Sequence, residues 1–82
     1  MPRPKRSLHD LALHGTFRVE RHQHLLASEE LREQSPYGDE RCTALWNELR
    51  DLQRAYRETP WPRVRRALAH EFADVVRQIH RG

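Results

Sequence analysis

The segment Thr59-Pro60-Trp61-Pro62 separates two apolar repeats of helical period, and this break constrains the fold more than any other feature. Before it, Cys42, Leu45, Leu49, Leu52 and Tyr56 recur at steps of three and four residues, a heptad-like seam. After it, Val64, Leu68, Phe72, Val75 and Ile79 do the same. A proline inside a helix removes a hydrogen bond and clashes with the preceding turn, but Pro62 suits the first position of a new helix. Asp39 suits the N-cap of the first long helix, with Glu40 in its first turn. Two helices of similar length across a tight turn fold back as an antiparallel hairpin. The seam residues Leu45, Leu49, Leu52, Tyr56, Val64, Leu68, Phe72, Val75 and Ile79 then face one another. Trp46, Ala67 and Val76 flank them as a second surface, for the N-terminal residues or a sister subunit. Trp61, between its prolines, is expected to close the turn as a staple, the alternative being an exposed anchor for a partner.

The first 38 residues read differently. Met1 to Arg6 holds two prolines and three cations and is expected to be an extended arm. Ser7 is placed to cap a helix starting at Leu8, with Leu8, Leu11 and Ala12 on one face. Gly15 is placed to end it, with His14 in the last turn. A helix of about two turns is unstable alone and must dock on something. From Thr16 to Ala27 the pattern is ambiguous: Arg18, Arg21, His22 and His24 make it cationic, while Phe17, Val19, Leu25 and Leu26 are candidate anchors. Ser28 is placed to cap a brief helix over Glu29 to Glu33, and Ser35-Pro36-Tyr37-Gly38 breaks the chain. The expected fold is therefore all-α: a short N-terminal helix plus a long antiparallel two-helix hairpin. Residues 1–38 form a basic arm, short helix and connector; residues 39–82 form the hairpin.

With 82 residues the chain makes one small domain. Its 37% apolar content is lean and its 33% charged content is high, which points to a partner copy or another protein that completes the burial. Of 15 cationic residues only Lys5 is lysine, and arginine's fork suits phosphate and carboxylate alike. Cations outnumber acids over residues 1–24 and again over 61–82, whereas acids prevail over 25–60. Basic ends around an acidic middle suit polyanion contact, and equally suit self-association. The single Cys42 excludes an internal disulfide, and no apolar run approaches the roughly 20 residues of a membrane span. The expected setting is cytoplasmic.

The cationic residues are the candidates for function. Arg3, Lys5 and Arg6 suit a mobile arm on a DNA backbone, or merely a solvated tail. Arg18, Arg21, His22 and His24 suit phosphate contact from the connector, or a solvated loop whose arginines pair with Glu29, Glu30 or Glu33. Arg63, Arg65 and Arg66 crowd the start of the last helix, where the helix dipole is already positive, so an anionic partner would relieve them. The run Glu48, Arg50, Asp51, Arg54, Glu58 reads as a solvated face with pairs three and four apart. The histidines lack ligand spacing and paired cysteines are missing, so neither a metal nor another cofactor is expected. No catalytic motif is present and the chain is read as non-enzymatic.

Taken together, Arg3-Pro4, then Ser7-Leu8 and a short leucine helix, then Gly15-Thr16-x-Arg18-x-x-Arg21-His22 resemble the N-terminal signature of phage terminase small subunits. The resemblance covers about a quarter of the chain. It implies a protein that recognises viral genomic double-stranded DNA and hands it to the large terminase subunit, in the host-cell cytoplasm. It also implies a homo-oligomer assembled through a helical hairpin. With only one short helix expected before the hairpin, the arm and connector would carry the DNA contacts. The alternative is a non-enzymatic helical-hairpin adaptor that binds other proteins.

Overall fold

A computed structural model describes residues 7–81. In chain order it holds α1 (Leu8–His14), α2 (Val19–His22), α3 (Leu25–Ser28), α4 (Glu40–Glu58) and α5 (Pro62–His80), with no strand among the described residues. Asp39 caps α4 by accepting a hydrogen bond from the Cys42 N–H at 2.9 Å, and Pro62 opens α5. The two long helices pack antiparallel. At one end the Arg41 guanidinium donates to the Gln78 carbonyl at 2.6 Å. At the other, Arg65 Nε donates to the Thr59 carbonyl at 2.7 Å while its guanidinium lies 5.2 Å over the Tyr56 ring.

Arg65 is thus the staple of the turn. Trp61, expected in that role, is 67% exposed. The reason is local: Pro62 fixes the helix start one residue after Trp61, and the indole points off the tip while Arg65, one turn on, reaches back.

The N-terminal residues cover one face of this hairpin, and that changes which side chains are buried. On α4 these are Trp46, Leu49, Gln53 and Tyr56; on α5, Ala69, Phe72, Ala73, Val75, Val76 and Ile79. Of the expected seam, Leu45, Leu52 and Leu68 are only partly buried and Val64 is 45% exposed. At about 100° per residue, the buried arc of each helix is turned by roughly 40–60° from the seam, toward the covering segment. Trp46 and Val76, expected as a second contact surface, are buried; Ala67 is exposed. The Trp46 ring meets His9 edge-on at 5.3 Å and Tyr37 at 6.1 Å.

Residues 1–6 of the expected arm lie outside the described residues. From Ser7 onward the caps form as expected. Ser7 Oγ accepts from the Asp10 N–H at 3.2 Å, and Leu8, Leu11 and Ala12 are buried. Gly15 closes α1 at φ 70°, with its own N–H directed to the Ala12 carbonyl and the Thr16 N–H to the Leu11 carbonyl. This pair of bonds is the Schellman arrangement that satisfies the last carbonyls of a helix. The His80 ring adds a contact of 3.0 Å from Nε2 to the Ala12 carbonyl. A Cβ on Gly15 would lie 2.8 Å from the His80 ring, so packing and backbone both demand glycine.

The expected helix over Glu29 to Glu33 is absent. Ser28 ends α3, and the chain then runs in irregular, partly extended backbone to α4. The cause is α4, whose side chains take the hydrogen bonds that a helix would have supplied. The buried Gln53 amide donates to the Leu26 carbonyl at 3.2 Å and to the Glu29 carbonyl, and accepts from the Leu31 N–H at 3.3 Å. Trp46 Nε1 donates to the Arg32 carbonyl at 3.1 Å. Arg50 and Arg57 donate to the Glu33 and Ala27 carbonyls, each at 3.3 Å. The run from Glu48 to Glu58 therefore makes none of the expected ion pairs along the helix; Arg57 instead pairs with Glu30 across the fold.

Buried polar groups left without partners cost about 1–3 kcal/mol each. Gln53→Leu keeps the bulk of the side chain and strands three backbone groups. We expect it to lower the unfolding free energy by about 2–4 kcal/mol in urea denaturation. A loss below about 0.5 kcal/mol would show that the amide does not hold the segment.

Candidate nucleic-acid interface

The element Gly15 to His24 is folded onto α5 by two buried anchors. Phe17 packs 4.9 Å from the Phe72 ring, and Val19 is 6% exposed. Alternation does the rest: with Phe17 and Val19 turned inward, Arg18, Glu20 and Arg21 are left outward, and all three are exposed. Arg18 is the N-cap of α2, and its backbone N–H donates to His22 Nδ1 at 3.0 Å. The side chain of His22 thus replaces a capping oxygen, and its ring also lies 5.9 Å from Phe17.

The structure separates the two connector arginines. Arg18 borders a groove against α5 together with Glu20, His70 and Arg77. Arg21 borders a cleft against α1 with His22, His24, Leu25 and Glu29. Neither forms an ion pair among the described residues. Of the acids expected to pair with them, Glu30 pairs with Arg57, and Glu29 Oε1 accepts from the Leu8 N–H at 3.3 Å.

Of the expected patch on α5, Arg63 and Arg66 are exposed, whereas Arg65 is committed to Tyr56 and Thr59. Arg3, Lys5 and Arg6 lie outside the described residues. His70 and Arg77, which face Arg18, were not anticipated. Their signal was present as a spacing of seven residues on one helix face, but it is visible only when cations rather than apolar residues are followed.

Among the described residues, no three His, Cys, Asp or Glu side chains gather as a metal-ligand set. Desolvation and the Asp39 carboxylate raise the Cys42 thiol above its ordinary pKa, the opposite of what activates a nucleophile. No helix among the described residues is long and apolar enough to cross a membrane.

His22 carries a pH signature. Desolvation, followed by the charges of His24, Arg21 and Arg18, holds its pKa below the ordinary value of 6.5. Its Nδ1 must also be unprotonated to accept from Arg18. The unfolded chain therefore binds the proton more readily, so stability is complete above about pH 6.5 and falls as pH drops through the lower folded value. We expect His22→Gln to lose less stability than the unsubstituted protein between about pH 7.5 and pH 5 in urea unfolding. Equal losses would remove His22 as a source of acid sensitivity.

No known protein family, curated protein or solved structure matches this chain.

Proposed function

We propose that this chain is a non-enzymatic double-stranded DNA-binding protein of the phage small-terminase type. In this reading it is a homo-oligomer in the host-cell cytoplasm that presents viral DNA to a large terminase subunit. One observation supports it most. The element Gly15-Thr16-x-Arg18-x-x-Arg21-His22 behaves as a single local device. Gly15 and Thr16 close α1, Phe17 and Val19 anchor the segment, and His22 caps α2 through Arg18's backbone. The residues left over are Arg18 and Arg21, exposed and without ion pairs among the described residues. Arginine held this way offers a planar fork to phosphate at little ordering cost. Several copies held together would add such weak contacts into useful affinity.

A protein-binding adaptor is the second reading. Its support is the hairpin tip, where Trp61 and Val64 are 67% and 45% exposed. Aromatic residues of this kind anchor protein interfaces.

Fluorescence anisotropy with a duplex of about 30 base pairs, at increasing salt, separates the two. We expect binding that weakens as salt rises. Arg18→Ala with Arg21→Ala should weaken it about tenfold or more and reduce the salt slope by about 1.8. Light scattering should give a mass above the monomer. Absence of duplex binding at about 50 mM salt in the assembled protein would overturn the DNA reading and leave the adaptor.

A further inference from the structure

We propose that the outward flank of α5 is a phosphate rail, formed by Arg63, Arg66, His70, Arg77 and Arg81, which holds the backbone of duplex DNA without regard to sequence. The proposal rests on the DNA reading above and adds a second, larger contact surface to the connector. At 3.6 residues per turn Arg63, Arg66, His70 and Arg77 fall within roughly 60° of the helix and span about 21 Å of its axis, with Arg81 just past the helix end. That span matches about six base-pair steps of duplex at 3.4 Å each. All five are exposed. Arg18 stands across the groove from His70 and Arg77, so connector and rail meet at one place.

What the arginines do elsewhere sets this flank apart. Arg41, Arg50, Arg57 and Arg65 each donate to a backbone carbonyl of another segment and hold the fold together. The four arginines of the rail donate to no carbonyl among the described residues. Their one ion pair is Arg77 with Asp74 at 3.7 Å, both side chains largely exposed at 70% and 63%. An exposed pair of that kind is weak and yields readily to a phosphate.

Two carboxylates border the rail: Glu20 lines its groove, and Asp74 pairs with Arg77. Glu71 joins Glu48 beside α4. Between Arg63 and Arg81 every large apolar residue of α5 except Val64 is at least partly buried, so the rail lacks the apolar centre of a protein interface. At the N-terminal end, Arg63 and Arg66 add charge where the helix dipole is already positive, and an anion relieves that strain.

The test compares two charge-matched pairs in the full chain, with duplexes of unrelated sequence. Arg66→Gln with Arg77→Gln lies on the rail. Arg32→Gln with Arg54→Gln removes the same charge from exposed residues away from it. We expect the rail pair to reduce the salt slope by about 1.8 and to weaken binding 10- to 100-fold at low salt, for every sequence alike. The off-rail pair should leave the slope nearly unchanged. Arg66→Lys with Arg77→Lys should keep the slope, which also guards against a folding defect in the Gln pair. If both Gln pairs act equally, or the rail pair binds like the unsubstituted protein, the rail is wrong while the DNA reading stands. If the protein binds polyglutamate but no duplex, both fall.

Discussion

A buried amide governs how this chain folds. Gln53 lies within the face of α4 that the N-terminal half covers, and it is 5% exposed. A polar side chain in that position is costly unless its hydrogen bonds are met. It meets them with the backbone of Leu26, Glu29 and Leu31, three groups that irregular chain leaves unpaired. The need is mutual. Backbone buried against a helix must find partners, and Trp46, Arg50, Gln53 and Arg57 supply them at steps of four, three and four residues. A small chain with a lean apolar core is thus held by a polar ladder as well as by Leu8, Leu26, Trp46 and Phe72.

This ladder also sorts the arginines. Arg41, Arg50 and Arg57 of α4 face another segment of the same chain and use their guanidinium groups on carbonyls. Those on the outer flank of α5 face solvent. Arg65 shows that position in the fold matters more than position in the sequence. It lies between two exposed arginines in the chain, yet it turns inward onto Tyr56, whose hydroxyl accepts from Gln23 at 3.2 Å. A cluster of cations counted along the chain overstates the charge that reaches the surface there.

The boundaries of α1, α4 and α5 were legible because local chemistry decides them. Ser7, Gly15, Asp39 and Pro62 act within one turn of their own positions. The hairpin was legible from its two repeats and the break between them. The path of Glu29 to Glu33 was not, because acids after Ser28 satisfy every local rule for a helix start while the deciding partner, Gln53, lies more than twenty residues away. The buried face of α4 was misjudged for the same reason. Trp46 and Gln53 are off the apolar seam, and only the covering segment makes them interior. Arg18 and Arg21 were legible as candidates by type; their separation onto two different clefts required the placement of Phe17 and Val19. His70 and Arg77 were missed because charge periodicity on α5 was overshadowed by the apolar repeat.

The contact between His80 and the end of α1 has a consequence for how the molecule comes into being. Ala12 and His80 are far apart in the chain, and only glycine fits at position 15 because the His80 ring takes the space a side chain would occupy. The start of α1 meets Glu29 and Trp46, which precede α5 in the chain, but the Ala12 carbonyl at its end gains its His80 contact only once α5 is complete. The last step in seating α1 must therefore come late. Closing contacts between such distant residues slow folding and make it cooperative. The last turn of α5 thus secures the end of the first helix, so two elements far apart in the chain share one closing contact.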